Sequence, residues 1–150
     1  MIAQRLHRYV LLVLLTASCL VGCASVPERA DPGSVAAGVA YQQVGVPYRY
    51  GGHSPSGFDC SGLVHYSYSQ AGINVPRTTS ALWQRSTPVD QNDLRVGDIL
   101  FFNVAGKMSH VGLYLGKRRF VHAPSSGKTV TIGTLDSPYY STAFIRAGRL

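Results

Sequence analysis

A cysteine and two histidines are the side chains of this chain from which a reaction can be built. Cys60 stands in Phe58-Asp59-Cys60-Ser61-Gly62-Leu63-Val64, after a glycine- and serine-rich loop (51–57) and before an apolar-periodic segment. That context places Cys60 at the first residue of a helix, where unpaired backbone N–H groups and the helix dipole favour an anion. A thiol there is expected to be a better thiolate. Asp59 is the expected N-cap, its charge partly opposing that effect. A thiolate also needs a basic partner able to protonate a leaving amine, and imidazole suits that task near neutral pH.

The chain has five histidines. His7 lies in the N-terminal leader, and His53 in the loop before Cys60. His65 follows Cys60 by five positions, about 140° around a helix, and so points away. His110 and His122 remain. Val111, Leu113 and Leu115 alternate with His110, Gly112 and Tyr114, the period of a strand. The chain then turns near Gly116-Lys117-Arg118 and returns through Phe120 and His122. An odd turn puts both histidines on one face; a two-residue turn separates them unless a bulge intervenes. On one face, His110 as base and His122 as its orienting partner complete the general triad arrangement.

The elements that must position these groups follow from the flanking sequence. Ser34 is the expected N-cap of a helix running to about Val44, ended by Gly45 and Pro47. A central helix is expected over Cys60–Gln70, stopped by Gly72, with Cys60, Val64, Tyr68 and Ala71 on one stripe. A short helical turn follows near Ser80 to Arg85, closed by Pro88. From Gly97 onward the chain reads as strands: Asp98–Asn103, His110–Leu115, Arg119–Ala123, Lys128–Thr134 and Ala143–Arg149. Helices first and strands afterwards argue α+β, with helices packed on one antiparallel sheet. Asp98 is expected to serve a turn or strand start, and Trp83, Tyr66, Tyr139 and Tyr140 to serve as core or cleft wall.

The N-terminus reads as an export signal over residues 1–22. Arg5, His7 and Arg8 form a basic start and Val10 to Val21 an apolar run, too short for the roughly 20 residues that span a bilayer. It ends in Leu20-Val21-Gly22-Cys23, which resembles the bacterial lipobox; Cys23 is the expected lipidation site. Ala24 at the next position, by resemblance to the sorting rule, points to the outer membrane, facing the periplasm. Residues 23–33 read as a polar tether and 34–150 as a single domain. Of the 14 basic residues, Arg5 and Arg8 leave with the signal, so 12 face 7 acidic ones, a mature charge of +5. A basic exported chain suits an anionic polymer such as cell wall, and nothing interleaves basic and aromatic residues as nucleic-acid binding would. With Cys19 in the signal and Cys23 lipidated, Cys60 has no partner, and a leftover thiol in an oxidising compartment is expected to be reactive.

Several segments together resemble the NlpC family of papain-like bacterial cell-wall cysteine peptidases. They are Pro47-Tyr48-Arg49-Tyr50-Gly51-Gly52, Phe58 to Val64, Val75-Pro76-Arg77, Leu94 to Phe102, Ser109 to Tyr114 and Phe120-Val121-His122-Ala123. The likeness covers nearly all of residues 40–149, in order and with compatible spacing. It implies a compact papain-like α+β fold, with the catalytic cysteine at a helix N-terminus. It implies Cys60 as nucleophile, His110 as general base and His122 as third polar residue. Tyr48 matches a family tyrosine near the thiol, helping backbone N–H groups to hold an oxyanion. The implied reaction is hydrolysis of an amide in peptidoglycan stem peptides or crosslinks. Arg77, Asp59 and Ser61 are the residues expected to meet substrate, Arg49 and Lys107 being further cations for stem carboxylates.

No cofactor is expected, and a monomer is. A metal site is the first rival reading, since Cys, His and Asp are zinc ligands, but no C-x-x-C or H-E-x-x-H spacing occurs. A related thiol acyltransferase or amidase is the second. The third is a lipoprotein that holds cell wall without cutting it.

Overall fold

A computed structural model describes residues 30–150. The expected export signal, Cys23 and most of the expected tether lie outside the described residues. No described helix is long and apolar enough to cross a membrane.

Helix α1 spans Pro32–Gln42 and starts three residues before the position expected. Its N-cap is Asp31 and not Ser34: the Asp31 carboxylate accepts the Ser34 N–H at 2.9 Å, and Pro32, with no N–H to satisfy, fills the first turn. Buried Ala36, Ala37 and Ala40 form its inward face. A two-residue hairpin, β1 (His53–Ser54) and β2 (Gly57–Phe58), then leads into helix α2 (Cys60–Gln70). Both ends of α2 fall where the sequence placed them. Asp59 caps its start, accepting from Gly62 N–H at 2.7 Å, and Gly72 with φ +81° leaves it. Helix α3 (Thr79–Arg85) is capped by Thr78.

The remaining strands form one antiparallel sheet in the order β3-β8-β4-β5-β6-β7. They are β3 (Thr87–Val89), β4 (Ile99–Val104), β5 (Lys107–Gly116), β6 (Arg119–His122), β7 (Thr131–Thr134) and β8 (Phe144–Arg149). Five of them coincide with expected strands. Strand β3, which the sequence reading lacked, contains Pro88 and lies at the sheet edge, where a missing N–H is tolerated. A short helix, α4 (Pro138–Ala143), was also unforeseen. Six residues are too few to display a helical period, and Ser137-Pro138 reads equally as a turn.

Each face of the sheet carries a layer. On one, Ile99, Phe101, Val111, Leu113 and Val121 pack against Leu63, Val64 and Tyr68 of α2 and Leu82 of α3. On the other, Leu100, Phe102, Tyr114 and Phe120 pack beneath Ala143 and Tyr140 of α4. Strand β4 is therefore buried on both sides, which is why its sequence, Ile99-Leu100-Phe101-Phe102, is an unbroken apolar run. Buried Asp98 begins this strand as expected. It receives both Nε and Nη2 of Arg149 at 2.8 Å and the Arg95 N–H at 2.7 Å, a charge-assisted tie between strand start and chain end.

Candidate active site

The site assembles where α2 begins. Asp59 has extended backbone and Cys60 is the first helical residue. The Gly52 loop presses directly against this first turn: a Cβ on Gly62 would meet the Gly52 carbonyl oxygen at 1.9 Å. The Asp59 carboxylate holds the two pieces together. One oxygen accepts from Gly62 N–H and the other from Gly51 N–H at 3.0 Å and from Arg77 at 2.7 Å. Arg77 further donates to Ser61 Oγ at 3.0 Å and to the Gly52 carbonyl at 3.2 Å. Its fork is thus occupied by the protein. Asp59, Ser61 and Arg77, expected to meet substrate, do line the cleft, yet their polar atoms are bound chiefly to one another.

Cys60, Tyr48, Thr79 and Ser109 line the same cleft. The Cys60 thiol donates to the Ser109 carbonyl oxygen at 3.7 Å. Its sulfur therefore rests on strand β5 at the residue preceding His110, although 49 positions separate Cys60 from Ser109. Burial pushes the thiol up from its ordinary range, with the Asp59 charge adding to that; N–H groups of Val111 and Ser61 and the Thr79 hydroxyl act the other way and are outweighed. The expectation of a readily formed thiolate is corrected here: at the helix start, desolvation exceeds the pull of the backbone donors. Tyr48 is raised as well, by burial and then by Cys60 and Asp59, so it stands as a neutral phenol with a proton to donate.

His110 and His122 lie together. His110 Nε2 and His122 Nδ1 are 2.8 Å apart. How they come to share a face answers the question of turn parity. The β5–β6 turn has two central residues, Lys117 and Arg118, at φ 51° and 58°. Alone, such a turn would put the two rings on opposite faces. The register, however, passes from Gly116↔Arg119 to Tyr114↔Phe120, so Leu115 is bulged out of the ladder. The bulge shifts the pairing by one and returns His122 to the face of His110. Gly112 lies between them, with no room for a side chain: its Cβ would come within 2.7 Å of the Phe120 ring and 3.3 Å of His122 Cβ.

Neither imidazole lines the cleft; His110 is 6% and His122 1% exposed. Phe102 and Phe120 flank the pair, with ring centroids 6.0 Å from His110 and 5.0 Å from His122. Burial lowers His110 to about 4. It lowers His122 to about 3, with the charges of His110 and Lys128 adding to the effect. At neutral pH both rings are uncharged. Burial thus favours the neutral forms of the thiol and of both imidazoles. Because His110 Nε2 is bound to His122, Nδ1 is the ring nitrogen left to serve the thiol.

His53 and His65 also border the cleft, each with Nδ1 on a backbone carbonyl, of Gly51 at 3.3 Å and Val75 at 2.8 Å. Among the described residues no group of three or more His, Cys, Asp or Glu side chains is arranged to hold a metal ion. Two contributors went unread in the sequence: the Ser109 carbonyl, because backbone acceptors leave no trace in residue type, and Tyr140, whose hydroxyl lies 3.3 Å from His122 Nε2.

Comparison with known proteins bears on the whole arrangement. Residues 45–149 match the NlpC/P60 family. Murein DD-endopeptidase MepH of Escherichia coli (strain K12) is 38% identical over 115 residues, covering 73% of this chain and 42% of that protein. Probable endopeptidase YafL of the same organism is 42% identical over 115 residues, covering 73% of this chain and 46% of that protein. The chain thus spans less than half the length of these two relatives. Among solved structures, the NlpC/p60 domain of peptidoglycan hydrolase SagA superposes with a TM-score of 0.69 at 33% identity, covering 79% of this chain and 98% of that one. An NlpC/P60 family protein from Bacillus cereus gives 0.73 at 32% identity over 78% of this chain and 39% of its own. Since the match runs from the loop before the thiol to the last strand, and the same layout recurs in those structures, this chain belongs to the NlpC/P60 family.

Proposed function

We propose that the chain is a peptidoglycan endopeptidase, a cysteine peptidase that hydrolyses an amide in stem peptides or in the crosslinks between them. The observation that carries this reading is a sulfur at the start of a helix, resting on the strand residue next to a histidine whose far nitrogen is already engaged. The names of its relatives, murein DD-endopeptidase and probable endopeptidase, support the substrate class.

In this mechanism, rotation about the Cys60 Cβ–Sγ bond turns the S–H from the Ser109 carbonyl toward His110 Nδ1, which takes the proton. The thiolate attacks the amide carbon. Tyr48 O–H and N–H groups at the start of α2 receive the resulting oxyanion. Protonated His110 then gives its proton to the departing amine, leaving a thioester. Water, deprotonated by His110, attacks the thioester, releases the carboxylic acid and restores the thiol. His122 orients His110 throughout. A neutral resting pair suits a base that charges only as the thiol yields its proton.

The N-terminal leader extends this reading to place: an exported lipoprotein, acylated on Cys23 and held at the outer membrane facing the periplasm. Mass spectrometry of the purified chain checks the first point, the expected species being acylated Cys23 without residues 1–22; an unmodified N-terminus at another position overturns it. Mass spectrometry of purified peptidoglycan incubated with the protein checks the activity. New amines are expected with the wild type. Cys60→Ala is expected to lose more than about 10⁴-fold in rate, the scale of removing a nucleophile. Undiminished turnover by that variant ends the nucleophile assignment.

A further inference from the structure

Beyond His110 and His122, a third polar side chain joins the line of hydrogen bonds. Tyr140 sits in α4, on the sheet face shared by both imidazoles. Its ring meets His122 edge-on at 5.3 Å and 84°, and meets Phe120 at 4.9 Å and Phe102 at 5.4 Å. Those contacts fix the ring, and the N-cap at Ser137 fixes the helix: Tyr140 N–H donates to Ser137 Oγ at 3.2 Å. The hydroxyl thereby reaches His122 Nε2 at 3.3 Å, while His122 Nδ1 is held by His110 Nε2.

A neutral imidazole has one donor and one acceptor nitrogen, so protons along this line are correlated. Two arrangements are self-consistent. In the first, His110 Nε2–H donates to His122 Nδ1 and His122 Nε2–H donates to the Tyr140 oxygen. His110 Nδ1 is then a bare lone pair, as the proposed thiol chemistry requires. In the second, the Tyr140 O–H donates to His122 Nε2, every proton shifts along, and His110 Nδ1 carries hydrogen and cannot act as a base. At 3.3 Å the Tyr140 contact lies just past the roughly 2.7–3.2 Å of an N–H···O bond and further past the roughly 2.5–3.0 Å of a hydroxyl donor, so the ring N–H is the better match as donor. The His110 imidazolium formed during turnover also needs the first arrangement, because both its nitrogens then donate.

We propose that Tyr140 is a positioning residue that accepts the His122 Nε2 proton and so keeps His110 in the tautomer able to take a proton from Cys60. This inference rests on the peptidase reading for its consequence, but the tautomer itself is independent of catalysis. Its role is tertiary: α4 brings a phenol oxygen to the far end of a line that begins at His110.

Long-range ¹H–¹⁵N correlation spectra of the histidine rings, recorded near neutral pH, test it directly. In the wild type, His110 and His122 are both expected as Nε2–H tautomers. Tyr140→Phe keeps the ring packing and removes the acceptor, and His122 is expected to shift toward the Nδ1–H form. On peptidoglycan, Tyr140→Phe is expected to lower kcat about three- to tenfold, the worth of one neutral hydrogen bond, with KM unchanged. Tyr139→Phe, altering an exposed neighbour that is 59% accessible, is expected to do neither. A wild-type His122 in the Nδ1–H form, or identical ring spectra for wild type and Tyr140→Phe, overturns the assignment. Expected tautomers in a wild type that releases no amine from peptidoglycan would instead defeat the peptidase reading and leave the Tyr140 assignment standing.

Discussion

The two halves of the site are built from opposite materials. Around Cys60, half-exposed loop and helix start are joined by an ion pair, a shared carboxylate and close-set glycine backbones. Around His110, the polar groups are few and sit among Phe102, Phe120 and Tyr140, almost without access to water. The first half fixes geometry by directed bonds, and the second by packing. Burial acts on both halves: it strips both rings of their charge and raises the Cys60 thiol. What results is a site whose burial favours the neutral form of the thiol and of both rings.

The sharpest way to break the contrast is to remove both imidazoles at once. His110→Leu/His122→Leu is expected to abolish peptidoglycan cleavage, by more than about 10³-fold on the scale of triad removal. Replacing both buried partners by apolar groups is nevertheless close to neutral for folding, so thermal melting is expected to show an unchanged or higher Tm. A fall of many degrees would mean that the imidazole pair also holds the fold together.

The loop half should respond the other way. Gly62→Ala forces a methyl group into the Gly52 carbonyl, and the expected result is loss of soluble folded protein or a drop of several kcal/mol in urea unfolding, the upper range for strained sites. Arg77→Gln should destabilise by about 1.5–3 kcal/mol, since it removes charged hydrogen bonds from a partly buried carboxylate. A variant as stable as wild type would mean that the Arg77 fork adds nothing to the loop and is available to substrate.

The smallest effect is on stability against pH. The unfolded chain protonates its histidines below about 6.5, while folded His110 and His122 stay neutral down to about 4 and about 3. Between those values the unfolded state binds more protons, so stability is full above about pH 6.5 and declines as pH falls toward 4. A Tm series from pH 7 to pH 4 should slope downward, and the double-leucine variant should slope less. Equal slopes would show that the rings are not buried neutral.

Much of this was legible in residue type and spacing. The α2 limits, its Asp59 cap and five of the six sheet strands follow from period, caps and glycine stops. Ser34 lost the α1 cap because Asp31, three residues earlier, offers a carboxylate at the right distance. Helix α4 and strand β3 are too short to carry a pattern. The sequence offers Arg77 to substrate, and the structure gives it the acceptors Asp59, Ser61 and Gly52, which lie in two segments, the helix start and the loop before it.

On its own, then, the sequence determined which groups could react and the elements that carry them, because local preferences and the spacing of Cys60 and two strand histidines are written in the chain. Tertiary structure alone decided whether those histidines meet, through one bulged residue at Leu115 that local sequence does not announce. It likewise decided the protonation of the site, since burial is a property of what packs around a residue, and a one-dimensional string holds no record of it.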